Sequence, residues 1–523
     1  MEAKIKLFLM VMLWFSVLSV SAKSNITWWC NLMPYPQPCQ RFVRQYLPRS
    51  EPNHRSEFRD MLVQLALRRA INAQSKVVQF GPFCENHLHR AVWDDCLKLH
   101  ENTVYQLNRT LECLRTKRRR NCTDFDVQTW LSSALTNIQT CRLGSADFNL
   151  SDFVAPVAFS NLSMLISNSL AINGALLQAE KNNTQGFPSW FSWQEKRWLL
   201  QSSEVTKKAN MVVAKDGSGH VRTIQEAIDA ASHRVYGTRF IIYVKKGVYR
   251  ENVEVGLNNS NIWLIGDGIK RTIITSCRSV GGGYTTYSSA TAGVDGLGFV
   301  ARGITFSNTA GPLNGQAVAL RSASDLAVFY KCAFQGYQDT VFVQSQRQFF
   351  RECYIYGTVD FIFGNAAVVL QNCEIYVRKP LNGQPNVITA QGRYDPFQNT
   401  GISIHNSKIL PAPDLKPVVG SFRTYLGRPW MQYSRTVILK TYIDSFVTPS
   451  GWLKWEKGDF ALDTLFYAEY QNSGPGASTR FRVKWKGFHV IKSADVASRF
   501  TVGSLIGGQS FLPAIGVPFA YGL

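Results

Sequence analysis

Three hexapeptides in the C-terminal half, "KCAFQG", "ECYIYG" and "NCEIYV", repeat one pattern with their cysteines, Cys332, Cys353 and Cys373, separated by 21 and 20 residues. Around them run short β-branched and aromatic stretches, among them "RFIIYVKKGVY", "NIWLIGDG", "TIITSC" and "GFVARGITFSN", punctuated by Gly, Asn and Asp. Few intervening segments are long enough for a helix, which argues against alternating βα units. A fixed period of about 20 residues in strand-rich sequence is the signature of a parallel β-helix, one coil per period. The expected fold from residue 209 onward is therefore an all-β, right-handed parallel β-helix.

The period places two acids together. Asp339 in "GYQDTV" and Asp360 in "GTVDFIFG" are 21 residues apart in apolar company, so they fall at equivalent positions on successive coils. Stacked backbones lie about 4.8 Å apart. Like charges at that distance resist joint ionisation and titrate in separate steps, giving one protonated acid beside one carboxylate. Such a pair suits retaining glycoside hydrolysis or acyl transfer, in which one carboxylate attacks an ester carbonyl and the other protonates the leaving alkoxide. Gln338, next to Asp339, and Gln316 in "GQAVALRS", about one coil earlier, offer neutral amides for an oxyanion and favour ester chemistry. The sequence contains no Gly-X-Ser-X-Gly elbow and no histidine paired with a serine or cysteine motif. The glycines of "AKDGSGHV" lack the context of a phosphate-binding loop and read as a turn opening the first coil. No metal or cofactor is called for.

The N-terminal part differs. "MEAKIKLFLMVMLWFSVLSVSAKS" carries lysines, a short apolar run and small residues spaced like a cleavage site, a signal peptide over residues 1–22, with a signal anchor as the alternative. No later segment is long and apolar enough to cross a membrane. Apolar residues at helical spacing in "SEFRDMLVQLALRRAINAQSKVVQF", "DFDVQTWLSSALTNIQTCRLG" and "NLSMLISNSLAINGALLQ" predict an all-α helical bundle over residues 24–178. Residues 179–208 lose that period and read as a linker, with Lys196-Arg197 a candidate processing site. The catalytic β-helix is expected over 209–508 and a C-terminal tail over 509–523. Glycosylation sequons occur at Asn25, Asn108, Asn121, Asn149, Asn161, Asn182 and Asn258, all but the last in the N-terminal part.

A net charge of +21, including the tract "RTKRRRN", would suit a polyanion. For a secreted chain without a nucleic-acid module, an acidic polysaccharide is the favoured partner over nucleic acid, and a merely basic surface is the alternative. Eleven cysteines in an oxidising compartment point to disulfides rather than metal ligands, and an odd count leaves at least one thiol unpaired. In the β-helix the adjacent-coil pair Cys353–Cys373 is favoured as a bridge over Cys332–Cys353.

Five segments in order between residues 247 and 430, "GVYREN", "GQAVALRS", "GYQDTV", "GTVDFIFGNA" and "YLGRPW", resemble the signatures of plant pectin methylesterases. The resemblance runs from about Val212 to "GSLIGGQSFLP" near the C-terminus. It implies a carboxylic ester hydrolase acting on the C6 methyl esters of pectin in the cell wall, without a cofactor. It casts Asp360 as nucleophile, Asp339 as proton donor and then base, and Gln338 as stabiliser of the developing negative charge. By the same resemblance Gln316, Thr286, Arg428 and Trp430 contact substrate, with Arg428 also orienting Asp360. An arginine there would lower the pKa of Asp360 and leave the proton on Asp339. Tyr249 and Glu251 read as structural. The N-terminal region resembles a pectin methylesterase inhibitor domain, which implies an all-α four-helix bundle, bridges Cys30–Cys39 and Cys96–Cys141, and a pro-region that holds the esterase inactive or retained until cleavage in the linker. Cys84, Cys113, Cys122, Cys277 and Cys332 are left unassigned. The linker reads "KRWLL", with Trp198 interposed between the family's usual basic pair and two leucines.

Overall fold

The computed structural model describes residues 25–45, 52, 54–81, 86–115, 122–150, 161–181, 208–233 and 237–523. The signal peptide, Cys84, Asn121, Asn182 and Lys196-Arg197 lie outside the described residues, as does the side chain of Asn25.

From Met211 the chain winds through three parallel sheets, one strand per sheet in each coil. An 11-stranded sheet runs from Met211–Val213 to Phe488–Val490, an 8-stranded sheet from Gly247–Arg250 to Tyr442–Ile443, and a 7-stranded sheet from Val253–Val255 to Thr424–Gly427. Every strand pairing is parallel, as a β-helix requires. Register follows the sequence period: Val341 pairs with Ile362 and Phe342 with Phe363, an offset of 21. Inward positions stack like on like, as in Phe329 over Phe350 at 4.6 Å and Phe306 over Phe334 at 5.6 Å, because each coil repeats the geometry of the one before. Glu251 accepts hydrogen bonds from the backbone N–H groups of Ile224 and Gln225, which open the helix Ile224–Ala230, and Tyr249 is buried. Residues 509–523 are packed rather than trailing: Phe511, Leu512, Ile515 and Val517 bury against Val328, Phe349 and Val369 of the 11-stranded sheet.

The helical part comprises a hairpin, α1 (Asn25–Asn31) and α2 (Pro36–Gln45), and four longer helices, α3 (Arg55–Phe80), α4 (His87–Arg115), α5 (Asp124–Ala146) and α6 (Leu162–Lys181). Disulfides join Cys30 to Cys39 in the hairpin, Cys96 to Cys141 between α4 and α5, and Cys113 to Cys122 across the α4–α5 connection. Asn108, Asn149 and Asn258 are exposed and Asn161 is half-buried.

The Cys353–Cys373 bridge is absent. Cys332, Cys353 and Cys373 form a buried ladder of thiols, and Cys353 and Cys373 donate to the carbonyls of Phe329 and Phe350 on the preceding coils. In-register parallel neighbours carry parallel Cα–Cβ bonds about 4.8 Å apart, whereas a disulfide needs Cβ atoms about 3.8 Å apart. The period that brought these cysteines to notice also keeps their sulfurs unbridged.

α5 is buried on nearly every side. Its N-terminus is a capping box, Thr123 with Asp126, and Val127, Leu131, Ala134, Leu135 and Ile138 face the bundle. Its polar residues face the β-helix instead of water: Ser133 donates to Ser345 at 3.1 Å, while Asn137 and Thr136 accept from Gln344 at 3.0 Å and Asn365 at 2.9 Å. The helical domain thus lies over the 7-stranded sheet.

Candidate active site

Asp339 and Asp360 each precede a strand of the 7-stranded sheet, and both sit in the left-handed region at φ 62° and 49°. A left-handed residue there turns the chain into the next strand, a conformation Asp tolerates better than most residues and one often found at functional sites. The Asp339 N–H donates to the carbonyl of Val359 at 3.0 Å, fixing the two coils against each other beside the acids. Both carboxyl groups are buried.

Arg428 breaks the symmetry of the pair. Its Nε donates to both oxygens of Asp360, at 2.9 and 3.1 Å, and its Nη2 to Oδ2 at 2.5 Å, while the Trp455 ring covers the guanidinium at 4.4 Å. Burial raises Asp360 above the ordinary carboxylate value, with Arg428 pulling the other way. For Asp339, burial and the neighbouring Asp360 push the pKa far up, with Arg428 only partly opposing. Arg428 therefore does not bring Asp360 below the usual range, because burial outweighs it. The order of the two acids is nevertheless the one expected: Asp339 holds its proton more strongly than Asp360.

A cavity of 210 Å³ opens onto the pair and collects Thr286, Gln316, Gln338, Asp339, Asp360, Arg428 and Trp430, every substrate-contacting or catalytic position expected from sequence. Trp430 meets Phe363 edge-on at 5.9 Å, and Phe363 stacks on Phe342 at 4.4 Å, giving the cavity an apolar aromatic floor. Gly392 lies beneath the indole, where a Cβ would fall 2.7 Å from the ring. Sequence reasoning passed over Phe342 and Phe363, although each stands three residues after its aspartate and shares the 21-residue period. It also passed over Thr285, Tyr287 and Trp455, for which no periodic signal exists.

The far wall belongs to the helical domain. Val92, Asp95, Cys96 and Leu99 of α4 and Thr140, Cys141 and Leu143 of α5 line the cavity, with Asp147 just beyond α5. The Thr285 hydroxyl donates to the Asp95 carboxylate, and Asp147 contributes to the field that raises Asp339. At 210 Å³ this partly open space is smaller than the ~300 Å³ at which small-ligand pockets begin.

The pectinesterase family profile matches residues 210–509, and the plant invertase/pectin methylesterase inhibitor profile matches residues 24–172. "Probable pectinesterase/pectinesterase inhibitor 59" of Arabidopsis thaliana is 58% identical over 527 residues, 99% of this chain and 97% of the relative. "Probable pectinesterase/pectinesterase inhibitor 60" of the same plant is 61% identical over 504 residues, 95% and 93%. Among solved structures, "Pectin methylesterase from Carrot" is 56% identical with a TM-score of 0.59, covering 60% of this chain and 98% of that one. The chain belongs to the pectinesterase family and carries an inhibitor-type helical domain ahead of its β-helix.

Proposed function

We propose that the β-helix hydrolyses C6 methyl esters of homogalacturonan in the cell wall, and that the docked helical domain keeps it closed until the linker is opened. The observation that carries this reading is the asymmetric acid pair: two buried carboxyl groups in register, one held by Arg428 and the other not, with Gln316 and Gln338 lining the same cavity. Ionised Asp360 attacks the ester carbonyl, and the oxyanion of the tetrahedral intermediate takes hydrogen bonds from the Gln338 and Gln316 amides. Asp339 gives its proton to the departing methoxide, releasing methanol and leaving an acyl–Asp360 anhydride. The Asp339 carboxylate then accepts a proton from a water that attacks the acyl carbon, freeing Asp360 and the galacturonate carboxyl group. Trp430 offers a face for a sugar ring, and Thr286 reaches the same space. The basic charge suits the acidic polymer and a secreted chain, and among the described residues no helix is long and apolar enough to cross a membrane.

The test is methanol release from methylated pectin by the full chain, before and after a protease site placed in the linker is cut. Cutting should raise methanol release with no new reducing or unsaturated ends. Asp360→Ala should abolish it. New reducing ends would indicate a glycoside hydrolase, unsaturated ends a lyase, and silence in the cut wild type a pectin-binding protein without catalysis.

A further inference from the structure

Beyond the reacting acids, the outward row of the 7-stranded sheet continues through Arg321, Gly293 and Glu254, each in register with the next. Gly293 leaves room for the Arg321 side chain: a Cβ there would lie 2.4 Å from both the guanidinium and the Glu254 carboxylate. Arg321 donates from Nη1 to Asp295 at 2.7 Å and from Nη2 to Glu254 at 3.0 Å, under the Tyr287 ring at 4.0 Å. The β-helix therefore builds this cluster by itself, and builds it with two carboxylates against one guanidinium. The missing positive charge comes from α4: Lys98 Nζ lies 2.6 Å from Glu254 and 3.0 Å from the buried Asp295.

A second charged cluster crosses the same interface and lacks this deficit. There Arg347 and Asp325 of the β-helix pair with each other at 2.8 Å, and the helical domain adds Asp126, 2.7 Å from Arg347, together with Arg109, 3.6 Å from Asp325. One charge of each sign arrives, so each side is balanced with or without the other. α4 also brings Asp95 to the Glu254–Asp295–Arg321 cluster, but burial raises its carboxyl pKa to about 7, so below that pH the lysine is the net charge that docking adds and the cluster gains its neutrality from it.

We propose that this cluster is an acidic socket by which the β-helix selects its helical-bundle partner, and that Lys98 is the cationic side chain it accepts in this chain. The proposal rests on the reading of the helical domain as an inhibitor and names the contact that sets how firmly it is held. Glu254 is half-exposed, so its pair with Lys98 alone contributes little in water. Asp295 is 1% exposed, and there the attraction is much less screened. Burial and the nearby Arg321 oppose the ammonium, yet Asp295, Tyr287 and Glu254 outweigh them and hold Lys98 above the usual lysine value. Bundles offering a neutral or acidic residue at this helix position should dock weakly.

The experiment uses the intact, uncut chain and reads methanol release relative to the same variant with its linker opened. Lys98→Glu should raise the activity of the intact chain about tenfold or more, since close charge pairs at interfaces couple strongly. Glu254→Lys should give a smaller rise, since Glu254 is half-exposed and its pair with Lys98 is screened. The double variant Lys98→Glu/Glu254→Lys pairs positions 98 and 254 again but leaves a glutamate against Asp295 and a lysine against Arg321, so it should dock more tightly than Lys98→Glu without reaching wild type. Lys98→Met, which keeps the aliphatic stem, should give a smaller rise and flatten the increase in wild-type activity between about 0.05 and 0.5 M salt. The proposal is overturned if Lys98→Met and Lys98→Glu behave as wild type while the cut chains stay active, or if the double variant is no tighter than Lys98→Glu. Absence of methanol release from the cut wild type would instead sink the esterase reading and leave the socket to be read from domain separation on a sizing column, with the same expected order of variants.

Discussion

Asp95 should make the closed state dependent on pH. The docked β-helix buries its carboxyl group, and burial raises the pKa from 3.8 to about 7; the Thr285 hydrogen bond, Arg321 and Lys98 offset part of this, while Glu254 adds to it. Released into water, Asp95 on the face of α4 returns towards the ordinary value. The docked state therefore binds the proton more tightly than the free one. Its contribution to docking is fully present below about pH 4 and is lost as pH rises through about 7. A difference of about 3 units corresponds to at most about 4 kcal/mol, or about a thousandfold in the docking equilibrium. The assay is the ratio of methanol release by the cut chain to that by the intact chain, from about pH 4.5 to about pH 7.5, which divides out titration common to both. That ratio should fall steadily with pH. Asp95→Asn should flatten most of the slope and keep the intact chain closed at neutral pH. Asp339, which shares the cavity walled by α4 and α5 and is raised by burial, by Asp360 and by Asp147, titrates in the same sense where docking covers it, so the flattening will not be complete. A wild-type ratio independent of pH, or an Asp95→Asn chain with an unchanged slope, would refute the reasoning.

The proposed mechanism makes sharper demands on the cut chain. Gln338→Ala should lower kcat by about 10²–10³ with little change in KM, as loss of an oxyanion donor does elsewhere. Arg428→Met removes the guanidinium that opposes burial at Asp360, so the acidic limb of the pH–rate profile should move to higher pH; an unmoved limb would detach Arg428 from the nucleophile. Peptide mapping without reduction should recover Cys30–Cys39, Cys96–Cys141 and Cys113–Cys122 as linked pairs and Cys332, Cys353 and Cys373 as thiols.

The sequence period made the β-helix legible, because each coil repeats one geometry and therefore one residue pattern. The same repetition placed Asp339 and Asp360 side by side before any coordinate was known. It misled at Cys353 and Cys373, where adjacency in register looked like bonding distance although parallel Cβ atoms stay too far apart. Arg428 and Trp430 follow a strand three coils beyond the one after Asp339, and only their motif linked them to the pair. Asp95, Lys98 and Asp147 were invisible as cleft residues, since no local pattern in a bundle helix says which β-helix surface it will face.

α5 shows why such a contact can be both specific and reversible. A helix packed on two sides ordinarily carries apolar residues all round. Here the side towards the β-helix presents Ser132, Ser133, Thr136 and Asn137, and the answering groups are Ser345, Gln344, Asn365 and Gln398. Each such hydrogen bond contributes only about 0.5–1.5 kcal/mol net, because water replaces it on separation. Undocking therefore exposes polar groups that water satisfies, and α5 keeps its apolar side against the bundle, tied by Cys96–Cys141 and Cys113–Cys122. The apolar part of the interface lies beside it, where Tyr287, Phe342 and Phe363 of the β-helix join the buried cluster that contains Val92 and Leu99 of the bundle, and it supplies an attraction that salt and pH leave largely unchanged. Against that constant background the polar face of α5 adds specificity at little net cost on separation, and Lys98 in its acidic socket and Asp95 at the mouth of the cleft are the contacts through which salt and pH shift the balance.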